Sequence, residues 1–167
     1  MPNIIEITDC IGSADIQQGT FTTPIFDDIR DEFTNEYIYK LLGVDLGVLF
    51  LADLDANGVP QNAPYTTIYN PIVQDIDGVI LNSKGIKYYI KMIIWFYYAR
   101  NNNTEITNVG NRISESQNSA PLNDPSAIAK NYNKGIQTGR MIQWYINENS
   151  ADFPLYNGQP LETVIPL

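Results

Sequence analysis

Residues 83–100 read SKGIKYYIKMIIWFYYAR, and the periodicity of this stretch decides the fold. Ile86, Tyr89, Ile90, Ile93, Ile94 and Tyr97 recur at i, i+3, i+4, i+7 spacing, which predicts a helix with one face given wholly to a core. Tyr88, Met92, Trp95 and Phe96 lie off that stripe. A helix wet on its far side would not carry so many large side chains there, so the helix is expected to touch neighbours on two sides, in its own chain or in another copy. Lys84, Lys87 and Lys91 form the remaining polar strip, read as a solvated face. From Ile86 to Ala99 the apolar run is 14 residues with two lysines inside. A bilayer needs roughly 18 to 20 apolar residues in a row, so the stretch predicts a core helix and no membrane contact.

Outward from this helix, the N-terminal side reads as an extended lead-in over residues 1–24, with Ile4, Ile5, Ile7 and Ile11 as a possible short strand. Thr23-Pro24 predicts a helix start, with Thr23 as N-cap and Pro24 at the first position, where a missing N–H costs nothing. The helix runs to Leu42 with Phe26, Ile29, Phe33, Tyr37 and Leu41 on one face, and Asp27, Asp28, Asp31 and Glu32 in its first turns suit the helix dipole. Gly43 ends it. A short helix from Asp45 to about Leu54 follows, with Leu46, Leu49 and Phe50 as expected core. Residues 59–82 read as a connector with turns at Asn70-Pro71 and Asp77-Gly78 and with Ile68, Ile72, Ile76 and Ile80 as anchors; Asn82 or Ser83 caps the central helix.

On the C-terminal side, residues 101–124 are polar and asparagine-rich, long for a bundle turn, with Ile106, Val109 and Ile113 as apolar pins around Gly110. This predicts a hairpin or an arm. Asp124-Pro125 starts the last helix, with Ile128, Tyr132, Ile136, Gly139 and Gln143 on one face; Gly135 and Gly139 predict close approach of another helix. The tail ADFPLYNGQPLETVIPL, residues 151–167, combines three prolines with Phe153, Leu155, Tyr156, Leu161, Val164 and Ile165. Proline bars a helix, and this much apolar surface does not stay in water, so the tail is expected to dock on something. Together these readings give a mainly α chain of one domain: a four-helix bundle-like core over 25–149, a long hairpin-like loop over 101–124, and extended arms at 1–24 and 150–167.

Composition narrows the function. The chain has 167 residues, a single cysteine (Cys10) and no histidine. One cysteine cannot make an internal disulfide. The absence of histidine removes the commonest general base and metal ligand, and lowers the expectation of catalysis. Net charge is −9, and residues 1–60 hold 11 acidic and 2 basic side chains while residues 61–167 hold eight of each. A nucleic-acid binder carries a basic footprint, which this balance excludes; DNA would meet the acidic third as a repelling wall.

One motif has the form of a metal site. Asp53, Asp55, Asn57 and Gly58 match positions 1, 3, 5 and 6 of the calcium-loop pattern, but Pro64 stands where the bidentate glutamate belongs and Pro60 where an aliphatic does. The plainer reading is an Asx-rich turn after a helix. The rival functions are a calcium-binding or carboxylate-dependent enzyme domain built on Asp53, Asp55 and Asn57, and a monomeric adaptor whose tail binds one protein.

The order of features resembles the head-to-tail connector, or adaptor, proteins of tailed bacteriophages, the neck rings beneath the portal. The residues that carry the resemblance are YKLLGVDLGVLFLADL (39–54), GIKYYIKMIIWFYYAR (85–100), and TEITNVGNRISESQNSAPLND (104–124), which leads into a helix with Tyr132 and Trp144. Thr107, Gly110, Ser119 and Pro121 follow the T-x-x-G … S-x-P thread of that family. The Ile- and Asn-rich usage is similar to that of phages of AT-rich gut bacteria, including crAss-like phages. The resemblance implies a non-enzymatic virion protein without cofactor, assembled in the host cytoplasm as a ring, commonly a dodecamer. It implies contacts with the portal protein and with the next neck or tail protein, and a lumen through which DNA passes during genome ejection without specific binding. Interface residues expected on this reading are Ile106, Val109, Arg112 and Ile113 in the arm, and Phe153, Leu155, Tyr156, Leu161, Val164 and Ile165 in the tail.

Overall fold

The computed structural model describes residues 3–10, 16, 22–102, 104–107, 110–113 and 125–164. The described chain is mainly helical: α1 (Thr22–Leu42), α2 (Val44–Ala52), α3 (Ala63–Tyr69), an antiparallel ribbon of β1 (Ile72–Ile76) and β2 (Val79–Ser83), α4 (Gly85–Asn102), a second ribbon of β3 (Thr104–Thr107) and β4 (Gly110–Ile113), and α5 (Pro125–Glu148). Single 3-10 turns cover Ile7–Asp9 and Ser150–Asp152.

The helix predicted from residues 83–100 is the centre of the molecule. Ile86, Tyr89, Ile90, Ile93 and Ile94 are fully buried; off the main stripe Met92 is fully buried too, and Trp95 is buried. Both apolar faces find partners in the same chain, because α1 and α5 each pack along α4 and α3 covers part of it. Gly135 lets α5 approach to where a Cβ would sit 2.8 Å from the Met92 Cβ. The glycine pair is therefore a packing notch between helices of one chain. The lysine strip faces solvent and also finds partners at its edge. Lys87 pairs with Asp9 at 2.8 Å, and the ammonium groups of Lys84 and Lys91 lie over the Tyr88 ring at 4.6 and 5.5 Å.

Several expected boundaries move. Helix α1 begins at Thr22, one residue before the predicted cap, and Pro24 is tolerated inside the first turn because the first four N–H groups lack intrahelical partners in any case. Helix α2 is capped by Gly43 and ends at Ala52, and Leu49, expected in the core, is exposed. At Gly43 φ is +83°, and a Cβ there would lie 2.7 Å from the Asn157 carbonyl carbon, so a glycine is required both to reverse the chain and to admit the tail. Ile4 and Ile5, read as part of a possible short strand, are buried in irregular chain just before the 3-10 turn at Ile7–Asp9. Ile11 and Asp124 lie outside the described residues.

The expected connector over 59–82 holds two elements that the sequence reading passed over, α3 and the β1–β2 ribbon. The ribbon turns at Asp77-Gly78, where both φ values are positive (52° and 83°), the two-residue turn whose twist matches a hairpin. The register pairs Ile72 with Ser83 and Gln74 with Leu81, and the Ile72, Leu81 and Ser83 side chains are buried. The other face carries Val73 and Ile80 into solvent. Ile80 is thus not an anchor. Ser83 does cap the central helix, its Oγ accepting the Gly85 N–H at 3.2 Å and donating to the Thr138 carbonyl.

Candidate assembly surfaces

The tail is the most fully built of the candidate sites. From the turn at Ser150–Asp152 it runs extended across the groove between α5 and the end of α1, held largely through its main chain. The Asn157 N–H donates to the Leu42 carbonyl at 3.2 Å and the Gln159 N–H to the Lys40 carbonyl at 2.8 Å. Three α5 side chains hold it from the other wall. Gln143 Nε2 donates to the carbonyls of Leu41 (3.1 Å) and Gln159 (2.8 Å), and the Arg140 guanidinium donates twice to the Leu161 carbonyl, at 3.0 and 2.6 Å. The Asn133 amide both donates to the Val164 carbonyl (2.8 Å) and accepts its N–H (2.9 Å). The carbonyls of Lys40, Leu41 and Leu42 belong to the last turn of α1, which has no intrahelical donors for them. The tail and Gln143 supply the C-terminal cap of α1.

Two apolar side chains anchor this strand. Phe153 is buried beside Tyr145, ring centroids 6.4 Å apart, and Leu161 is buried over Gly139, where a Cβ would lie 2.5 Å from Leu161 Cδ1. Of the tail residues expected at an interface, Phe153 and Leu161 are therefore buried in their own chain, Tyr156 and Val164 are half-buried there, and Leu155 is exposed. Ile165 lies outside the described residues. In the arm, Ile106 and Arg112 sit on β3 and β4, with Ile106 opposite Asn111, Arg112 opposite Glu105, and Ile113 opposite Thr104. Val109, like Ser119 and Pro121, lies outside the described residues.

The Asp53–Asp55–Asn57 loop is an Asx-type turn whose carboxylates serve its own backbone. Asp53 Oδ2 accepts the N–H groups of Gln61 and Asn62, each at 2.8 Å, and Asp53 Oδ1 accepts the Asn62 side-chain amide. Asp55 Oδ1 accepts the N–H groups of Asn57 (2.8 Å) and Val59 (2.9 Å). Among the described residues no group of three or more His, Cys, Asp or Glu side chains is placed to hold a metal ion.

The sequence reading missed two further features. At the junction of the three long helices, one hydroxyl comes from each: Tyr37 Oη lies 2.8 Å from Tyr97 Oη and 3.5 Å from Tyr132 Oη, with Phe33 stacked on Tyr97 at 3.7 Å. Burial pushes the Tyr37, Tyr89 and Tyr132 phenols up, and the neighbouring hydroxyls add to the rise at Tyr37. The second is exposed aliphatic surface. Val44, Val48 and Leu49 on α2 and Val73 and Ile80 on the outer ribbon face all face water, Val73 at 73% and Ile80 at 68% exposure. The i, i+4 spacing of Val44 and Val48 could have found the first, but in a hydrophobic helix nothing marks which face is left out.

The acidic third is partly neutralised. Buried Arg30 pairs with Asp27 (2.7 Å), Asp31 (3.0 Å) and Glu6 (3.5 Å), fastening the N-terminal turn to α1, and Lys40 pairs with Glu36. Asp28, Asp31, Glu32 and Glu36 remain on the exposed face of α1. Among the described residues no helix is long and apolar enough to cross a membrane. No family model matches the chain, and no curated protein or solved structure matches it.

Proposed function

We propose that this chain is a structural protein of the tailed-bacteriophage neck, a non-catalytic, cofactor-free adaptor that assembles as a ring. On this reading the helices form an adaptor-type bundle, the β3–β4 hairpin is its arm, and the ring, a dodecamer on the family pattern, bridges the portal protein and the next neck or tail protein in the virion. DNA passes through the lumen without specific binding, and the acidic face of α1 lines it, where like charge keeps the genome from sticking. The observation that carries the reading is the aliphatic surface on α2 and on the outer ribbon face, which a solitary chain leaves in water. Two different patches per chain suit heterologous contacts, in which one patch meets another on the next copy and the series closes as a ring. The sequence resemblance over residues 25–149 supplies the neck as its place.

The test is native mass of the purified protein, alone and mixed with the portal protein encoded in the same genome. The expected result is a ring-sized species in one sample or both. A strict monomer that ignores the portal overturns the reading.

A further inference from the structure

The chain carries two antiparallel ribbons, and each has one face with a diagonal pair of aliphatic residues. On β1–β2 the register sets Val73 against Asn82 and Asp75 against Ile80, so these four share the outer face, and all four are exposed. On β3–β4 it sets Thr104 against Ile113 and Ile106 against Asn111, while Glu105, opposite Arg112, falls on the reverse side. Each of these faces thus holds two aliphatics set diagonally across the strand pair, flanked by two polar residues. A two-stranded ribbon is marginal in water until an apolar face is covered. For β1–β2 the inner face meets this need, with Ile72 and Leu81 buried and β2 against α5. For β3–β4 the principal neighbour among the described residues is the end of α4, from which it springs.

We propose that the β3–β4 ribbon of one copy lays its Ile106–Ile113 face on the Val73–Ile80 face of the next copy. The inference rests on the assembly reading above and names what covers the outer ribbon. The places of the two ribbons in the fold argue for a second copy. Strand β2 ends at Ser83 and leads into the first turn of α4, whereas β3 starts at Thr104, just past the last turn. The 18 residues of α4 hold the ribbons at opposite ends, roughly 27 Å apart at about 1.5 Å per residue. A four-residue strand at about 3.3 Å per residue reaches only about 13 Å, so the arm cannot fold back over its own β1–β2. That ribbon is fixed at the near end, with β2 packed on α5 and Ser83 Oγ donating to the Thr138 carbonyl. The helix that keeps the two faces apart within one chain leaves one at each end for a neighbour. Such a contact is head-to-tail, the kind that closes as a ring. Ribbons faced in this way stand about 10 Å apart, the ordinary spacing of packed sheets.

The test uses full-length chains, with the buried Cys10 left in place and the chain without added cysteine as the control. One chain carries Val73→Cys, a co-expressed chain carries Ile106→Cys, and a third carries both. A short bis-maleimide is added to the assembled fraction, formed alone or on the portal protein. The arm contact predicts a species of two chain masses from the single-cysteine pair and a ladder of multiples from the double variant. An assembled fraction without linkage overturns the arm contact and leaves the ring standing, as does linkage of Val73→Cys to Val48→Cys on α2 in place of Ile106→Cys. Linkage within one chain of the double variant overturns it too, because the arm then covers its own ribbon. A sample that stays monomeric and unlinked with the portal protein present overturns both readings.

Discussion

The contact between Gly139 and Leu161 gives the sharpest test of how the tail is held. A Cβ at position 139 would sit 2.5 Å from Leu161 Cδ1 and 3.0–3.1 Å from two carbons of the Tyr89 ring. Gly139→Ala therefore overpacks the notch, at about 1–3 kcal/mol, against a gain of about 1 kcal/mol from replacing glycine inside a helix. The net expectation is a loss of about 0–2 kcal/mol. Leu161→Ala removes a buried anchor and costs about 2–3 kcal/mol, the lower part of the range for buried leucines, because a strand can settle into the space left. In the double variant the first collision is gone and the new methyl fills part of the vacated notch. The two losses should then fall short of their sum by about 1–2 kcal/mol. Urea titrations followed by tryptophan fluorescence measure all four corners of the cycle, with Trp144 on α5 half-buried as a reporter. Losses that add within about 0.5 kcal/mol would refute the placement of Leu161 over Gly139.

Three further outcomes follow from the geometry. Tyr37, Tyr89 and Tyr132 keep their protons in the folded chain above the ordinary phenol value, so the unfolded state releases protons first; stability is fully present below about pH 10 and falls above it, by about 1.4 kcal/mol per pH unit for each phenol. Phenolate absorbance should show these tyrosines ionising only together with loss of the helical circular dichroism signal, and free titration of all 11 before unfolding would contradict the buried junction. Asp53→Ala removes the acceptor for two loop N–H groups and should lower stability by about 1–2 kcal/mol, as the loss of a helix cap does, while calcium leaves the melting curve of the unaltered chain in place. Gly43→Ala should cost about 2 kcal/mol or more, through the left-handed backbone and the approach of Asn157, with the extra loss vanishing if the tail does not pass there.

The long helices were legible because their burial is periodic. Phe26, Ile29, Tyr37 and Leu41 on α1, the Ile86–Ile94 stripe on α4, and Ile128, Tyr132 and Ile136 on α5 all lie where a 3.6-residue repeat puts them. The segment between Val59 and Ser83 was not, for two reasons. Helix α3 is seven residues long, too short for a repeat to show. The ribbon carries aliphatics on both faces, so the alternation that announces a half-buried strand is lost. The tail was half legible. Its composition said that it must dock, but the donors that seat it are Asn133, Arg140 and Gln143, polar residues that read as ordinary helix surface until the strand is laid against them.

The docked tail also moves the search for an interface. An apolar tail with no place in its own fold would itself be the sticky surface, yet Phe153 and Leu161 are already buried and the main chain between them caps α1. A neighbour seated on the tail would find chiefly polar and proline side chains, with Leu155 as the aliphatic exception. Helix α2 and the outer ribbon face offer five large aliphatic side chains that the fold leaves unused. Burying a valine, leucine or isoleucine fully is worth about 1.5–3 kcal/mol, so covering several of them in one contact offsets part of the cost of bringing copies together. Val73→Lys with Ile80→Lys on the ribbon should therefore weaken assembly while leaving the melting of the single chain nearly unchanged, because neither side chain touches the core. Native mass and thermal melts separate the two effects. A ring that survives both lysines would move the contact to Val44, Val48 and Leu49.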